Sequence, residues 1–185
     1  MKKIFVILLF LPVFLMAQDS TEVTKKVLLG FELGPNISSL NGSNKVNIGF
    51  SYGYPFRVIF NRFLNFKTGL YFDGTIHNLN KDTTYKVLYL TTPFTFGLTL
   101  KGYENVLMHF NAGFYTSFNL NSNEVHAMNV GLVFALGFNL FITQRLLLNL
   151  DFADYYDPTF IINGNGMSSN SVKCTIGLLF KINKK

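Results

Sequence analysis

Tryptophan is absent from this 185-residue sequence, cysteine occurs once, and charged residues make up only 14% of the chain. Each shortage excludes something. The single cysteine, Cys174, cannot close an internal disulfide, so stability must come from packing and hydrogen bonding. No cysteine stands at a signal junction, which argues against a lipid-anchored lipoprotein. No close His/Cys/Asp spacing supplies converging metal ligands. After the N-terminus, no run approaches the roughly 20 apolar residues that a membrane-spanning helix needs. Soluble domains carry about 25% charged residues, so something other than water is expected against much of this surface. What the chain has in excess is phenylalanine, 21 residues, accompanied by 9 tyrosines.

Lys2-Lys3, the apolar stretch Ile4 to Phe14 and the small Ala17 predict a secretory signal over residues 1–17, followed by one barrel domain over 18–185. Removing Lys2 and Lys3 leaves 14 basic and 10 acidic residues, a net charge of +4 (14 − 10). These charges are scattered, whereas nucleic-acid binding requires a clustered basic stripe. Nucleic acid is therefore not an expected partner.

The main signal is a period of two. Ile48, Phe50, Tyr52, Tyr54, Phe56, Val58 and Phe60 occupy successive even positions, with Asn47, Gly49, Ser51, Gly53, Pro55, Arg57 and Ile59 between them. Side chains of a strand alternate faces, so one face is continuously apolar and the other small or polar. These 13 residues, at about 3.3 Å each, reach roughly 43 Å, far beyond an ordinary strand of about 5–6 residues. The same period recurs over 27–34, 64–73, 88–100, 108–118, 128–140, 146–153 and 172–182, which predicts eight strands and no helix. Connections after the second, fourth and sixth strands are tight ("NR", "GYEN", "TQR"). Those after the first, third, fifth and seventh are longer ("NISSLNGSNK", "NLNKDTTY", "NSNEVHA", "YDPTFIINGNGMSSN"). An outer-membrane barrel has this asymmetry, with short periplasmic turns and longer external loops.

The second row decides which face meets lipid. It is rich in Gly, Ser and Asn; glycines weaken a strand exposed to water, whereas the crowded lumen of an eight-stranded barrel leaves room for little else. Closure follows because lipid cannot satisfy an open sheet edge. The expected fold is all-β: an eight-stranded antiparallel up-and-down transmembrane β-barrel with its apolar row, Cys174 included, toward outer-membrane lipid. Without Trp, the aromatic girdle must be Tyr and Phe.

Thr175, Gly177, Phe180 and Ile182 in "TIGLLFKI" resemble the last-strand signal read by barrel-assembly machinery, a partner expected during insertion. "LGFELGPNISSLNG" (29–42), "YLTTPFTFGLTL" (89–100, with Pro93), "FNAGFYTSF" (110–118) and "LLLNLDFADYY" (146–156) resemble the PorT-like outer-membrane β-barrel proteins of Bacteroidota. That resemblance implies an eight-stranded barrel and an outer-membrane address; one branch of the family is implicated in type IX secretion.

Gly49-Phe50-Ser51-Tyr52-Gly53 matches G-x-S-x-G, the nucleophile elbow of lipases and esterases. An elbow needs a strand, a sharp turn and a helix, but here the strand period continues on both sides, so Ser51 reads as a lumen residue. The expected function is a non-enzymatic scaffold, adhesin or secretion-accessory role exercised through external loops and a surface or secretion partner. The rival is a barrel-embedded lipid hydrolase or acyl-modifying enzyme, for which no triad can be selected. No catalytic, cofactor-binding or metal-binding residue is expected. His77, at a strand top, His109, low in the lumen, and His126, in an outer loop, read as solvated or hydrogen-bonded. Glu32, Asp73 and Asp151 share the inward face with Arg57, Lys67, Lys173 and Lys181, and charges withdrawn from water require partners. A lumen polar network of Glu32, Arg57, Lys67, Asp73, His109, Asp151 and Lys173 is expected, as a plug or, alternatively, a narrow ion path. The loop Asp157 to Asn170 has no strand assigned to it; its Phe160, Ile161 and Ile162 are the candidate partner contact, with a lid over the barrel mouth as the alternative.

Overall fold

The computed structural model describes residues 26–40, 46–60, 63–78, 84–101, 105–121, 127–162 and 165–182. Eight strands form one closed antiparallel wall: β1 (Lys26–Leu40), β2 (Val46–Ile59), β3 (Leu64–Asn78), β4 (Thr84–Lys101), β5 (Val106–Asn119), β6 (Met128–Phe141), β7 (Leu146–Ile162) and β8 (Asn165–Ile182). Each strand pairs with its sequence neighbours, and β1 closes the circle against β8, from Val27↔Ile182 to Leu40↔Ser169. Every strand therefore has two partners, as lipid demands of a spanning sheet. The predicted signal, residues 1–17, lies outside the described residues.

The period of two becomes an inside and an outside. Along β6, Met128, Val130, Leu132, Phe134 and Leu136 are exposed while Asn129, Gly131, Val133, Gly137 and Asn139 are buried. Cross-strand aromatic pairs cover the outer wall, among them Tyr52 stacked on Phe72 at 5.2 Å and Phe94 on Phe114 at 5.3 Å. Cys174 lies in this outer row, between the exposed Val172 and Ile176. Tyrosine departs from the girdle expectation: Tyr52, Tyr54 and Tyr156 face out, but Tyr71, Tyr89, Tyr115 and Tyr155 are buried in the lumen. The outer aromatic surface is thus largely phenylalanine.

Several predicted loops are strands. β1 continues through Asn36 to Leu40, and β3 runs on to Asn78. The segment read as the last long loop is paired as a continuation of the β7–β8 hairpin, from Asp157↔Ser169 to Ile162↔Asn165, with a register shift between Asp157 and Phe160. The reason is solvent. Where a strand rises out of lipid, its outer face no longer has to be apolar, so the hydrophobic alternation disappears although the backbone ladder persists.

At the opposite, periplasmic end the inward row itself turns apolar. Leu28, Ile59, Leu147 and Leu179 form a buried cluster, against which Leu107 and Phe141 pack. This cluster floors the lumen.

Candidate functional site in the barrel lumen

Immediately above the apolar floor, five strands each contribute one charged or titratable side chain to a single layer: Glu32 from β1, Arg57 from β2, Lys67 from β3, His109 from β5 and Asp151 from β7. Lys67 Nζ donates to both carboxylate oxygens of Glu32, at 3.3 and 3.2 Å, and to Asp151 Oδ2. Arg57 Nη2 stands 3.5 Å from the same Asp151 oxygen. Glu32 also accepts from Tyr71 OH at 2.9 Å and Asn149 Nδ2 at 2.6 Å. Two carboxylates thus meet two cations, and no member is left without a counter-charge. That balance is what a buried ionic group requires, because removing one partner leaves an uncompensated charge.

His109 is fully buried within this layer. Its Nδ1 lies 3.0 Å from Arg57 Nη1 and 3.4 Å from Asn139 Nδ2, while Nε2 lies 2.9 Å from Arg57 Nη2 and 3.6 Å from Asp151 Oδ2. The Arg57 guanidinium thus faces both ring nitrogens, and the imidazole is held between this cation and the Asp151 carboxylate. The ring fits because residue 137 opposite it is glycine; a Cβ there would run into the imidazole and into the Leu150 carbonyl. Gly53 and Gly69 make the same kind of room for the ring of Tyr71.

One level higher, Lys173 Nζ donates to Asp73 Oδ2 at 2.5 Å and sits 3.9 Å over the ring of Tyr155. The sequence-predicted lumen residues therefore divide into two groups, Glu32, Arg57, Lys67, His109 and Asp151 below, and Asp73 with Lys173 above. Lys181 belongs to neither. It stands at the periplasmic rim, where it acts electrostatically on Lys26 together with Lys101.

A cavity of about 20 Å³ separates the two layers, bordered by Lys67, Tyr71, Asp151 and Lys173. Above it a second cavity, about 50 Å³, is lined by hydroxyl, amide and carboxylate groups of every strand except β2. Asn36 and Thr75 are hydrogen-bonded along its wall at 3.3 Å, and Thr91 and Ser117 at 2.8 Å.

Ser51 occupies the middle of β2, paired with Gly34 on one side and Asp73 on the other, and its Oγ is buried without a hydrogen-bond partner. The strand–turn–helix of an elbow is absent there. His77 lies in β3 opposite Tyr85, and His126 falls outside the described residues. Phe160, Ile161 and Ile162 are part of the β7 extension, opposite Met167, Gly166 and Asn165. Among the described residues no cluster of three or more His, Cys, Asp or Glu side chains is arranged to hold a metal ion.

Two elements of this lumen were missed in the sequence. The inward tyrosines Tyr89 and Tyr155 were not singled out, although their parity matches that of Thr91 and Asp151. The floor was also missed, and its signal is a set of three-residue apolar runs at the periplasmic strand ends, such as Val27-Leu28-Leu29, Leu146-Leu147-Leu148 and Leu178-Leu179-Phe180.

The outer membrane protein beta-barrel domain family matches this chain over residues 16–154. Among solved structures, Neisserial surface protein A aligns with 84% of this chain and 97% of its own, at 13% identity and a TM-score of 0.64. Ail, the attachment invasion locus protein of Yersinia pestis, aligns with 88% of this chain and all of its own, at 12% identity and a TM-score of 0.50. At such identities the likeness is one of fold. A comparison with curated proteins finds no match by sequence. With a closed eight-stranded wall, an apolar exterior, a charged interior and a family match across most of its length, the chain belongs to the outer membrane protein beta-barrel domain family and is an outer-membrane protein.

Proposed function

We propose that this barrel acts as a non-enzymatic scaffold of the outer membrane, an adhesin or a secretion accessory of the PorT-like kind in a Bacteroidota-type envelope, and that it meets its protein partner through the β7–β8 hairpin. One observation carries the reading. Among the described residues, β6 pairs with β7 as far as Leu132↔Tyr156 and β1 with β8 as far as Leu40↔Ser169, and β7 and β8 pair with each other through Ile162↔Asn165. On its β6 side this hairpin therefore extends beyond the described pairing and offers a backbone edge and a short apolar run, Phe160-Ile161-Ile162, at the external end. Exposed strand edges are templates for strand addition by another chain. The floor and the ionic layer obstruct the lumen beneath, which favours a role at the rim over one in transport.

A photo-crosslinking residue placed at 161 in cells should yield a discrete protein adduct. The same residue at outward position 134, on the lipid-facing wall, should yield none. Replacing Phe160, Ile161 and Ile162 together by Ser should leave a folded barrel and remove the adduct. An adduct that survives the triple substitution, or its absence from the native hairpin, defeats the proposal. Discrete porin-sized conductances from the pure protein in planar bilayers would also defeat it, since they require an open lumen.

A further inference from the structure

Below the apolar floor the inward row takes one more step. Lys26, Lys101 and Lys181 occupy the next inward positions after Leu28, Thr99 and Leu179, on β1, β4 and β8. Strand parity therefore turns three ammonium-bearing side chains toward the barrel axis, away from the lipid headgroups around the wall. Lys26 shows this directly: its Nζ stands 5.8 Å from the ring centroid of Phe141 on β6, three strands away around the wall. This side chain lies across the periplasmic mouth. Lys101 and Lys181 both repel its charge, and none of the three lysines joins an ion pair among the described residues. Around them, the sequence of the strand ends and tight turns adds Arg62 and Arg145 against a single acid, Glu104.

A cleft lined by one sign of charge focuses its field on groups of the other sign, and the cleft is present. A recess of about 510 Å³ opens at this mouth, lined by Lys26, Lys101, Asn105, Leu107, Phe141 and Gln144 among others. Ligand sites span about 300–1,000 Å³. The lining is of two kinds, ammonium groups at the rim and the apolar surface of Leu107 and Phe141, which pack on the floor above. An inorganic anion would use the first and leave the second in water. A lipid of the inner leaflet has its headgroup outside the wall, whereas these lysines are aimed within it. A peptide that carries carboxylates beside an apolar side chain uses both surfaces.

We propose that the periplasmic mouth is the docking site for an acidic peptide segment of a periplasmic protein. Its carboxylates pair with Lys26, Lys101 and Lys181, and an apolar side chain between them rests on Leu107 and Phe141. The amides of Asn105 and Gln144 stand at the same recess and can bond to the backbone of the segment. This contact lies at the opposite end of the barrel from the β7–β8 hairpin and does not depend on it. A protein held here would be tethered to the inner face of the outer membrane.

The test is titration calorimetry on the folded full chain in a nanodisc of zwitterionic lipid, which leaves both ends of the barrel open to solvent. The probe is the peptide Glu-Glu-Leu-Glu-Glu, blocked at both termini. Binding should be saturable at low salt and lost near 1 M salt, where the screening length falls to about 3 Å. Lys26→Gln, Lys101→Gln and Lys181→Gln combined, with folding checked by circular dichroism, should weaken binding at least tenfold. Lys86→Gln, at the external end, should leave it unchanged. Two changes in the peptide probe the recess without touching the barrel: replacing every Glu by Gln should abolish binding, and replacing Leu by Ser should weaken it at least threefold. Absence of saturable binding overturns the proposal. Binding unchanged in the triple variant, or indifferent to the loss of the peptide's Leu, also overturns it, because the recess would then not be the site. Displacement of the peptide by an equal concentration of glycerol phosphate would assign the rim to anionic headgroups and overturn it as well.

Discussion

The two halves of this lumen are built from the same alternating row, but they solve different problems. In the lower half, charges are matched two against two around Lys67, and the residues beneath them are aliphatic. Unpartnered atoms occur there too: Asn139 Oδ1, Asn149 Oδ1 and Asp151 Oδ1 each belong to a group whose other atom is engaged, and Asn111 has neither side-chain atom hydrogen-bonded. In the upper half, Ser38 and Tyr89 have no engaged side-chain atom, and both border open volume. The lower half closes the lumen with ion pairs and aliphatic packing, and the upper half encloses a cavity among polar side chains.

The largest effect should come from breaking the lower layer. Lys67→Met leaves Glu32 and Asp151 as buried carboxylates with only Arg57 to oppose them, and removing one partner of a buried ionic group costs about 3–5 kcal/mol. Urea unfolding of the protein folded into phospholipid vesicles measures this directly. Lys173→Met strands only Asp73, beside a cavity that can admit water, so the loss should be nearer 1–3 kcal/mol. Equal losses would erase the distinction between the halves.

Next comes the floor. Leu147 is completely buried against Leu28, Ile59 and Leu179. Leu147→Ala should cost about 2–5 kcal/mol, the range for a buried leucine whose surroundings collapse only in part. The same unfolding curves report it. A loss below ~1 kcal/mol would mean that the periplasmic end is loosely packed, and the closure would then rest on the ionic layer alone.

The degree to which this arrangement was legible in the sequence follows the same division. Parity alone named the inward charges, because a strand's period is rigid and one residue of slip would expose the whole set to lipid. Parity does not tell which charges meet. Lys67 and Asp151 are 84 residues apart and Glu32 and Asn149 are 117 apart; what joins them is the stagger of eight strands around a closed wall. Strand ends were legible only on the lipid side. Above it, Asn36, Ser38 and the whole stretch Asp157 to Asn170 carry no hydrophobic alternation, so paired strand read as loop. The upper cavity was legible only in Asp73 and Lys173: apart from these and Asp157 its lining is Ser, Thr, Asn and Tyr from seven strands, and no spacing in the chain marks such a set.

A smaller effect tests the fit between wall and lumen. Gly137→Ala pushes a methyl group into the His109 ring and a strand carbonyl, and overpacking of this kind costs about 1–3 kcal/mol. Gly74, by contrast, has open space where its Cβ would go: the nearest atom is a carbonyl oxygen 3.8 Å away. Gly74→Ala should be neutral or stabilising by roughly 0.4–1 kcal/mol, through the reduced freedom of the unfolded chain. Comparable losses at both positions would show that glycine is needed for the curvature of the wall and not for the His109 ring.

The smallest effect is expected at Ser51, and it separates the two halves most finely. Ser51 and Ser38 are chemically the same case, each a buried hydroxyl without a partner. Only Ser38 borders the upper cavity. Removing an unpartnered buried hydroxyl relieves a desolvation cost and leaves a gap of a single atom, so Ser51→Ala should shift stability by no more than about 1 kcal/mol, toward greater stability. The same variant tests the hydrolase reading of G-x-S-x-G. A fluorophosphonate probe should fail to label the folded parent protein, because Ser51 lies within a continuous strand with no base hydrogen-bonded to it. Labelling that is present in the parent and lost in Ser51→Ala would make this serine a nucleophile, and a catalytic site would then lie between the closure below and the cavity above.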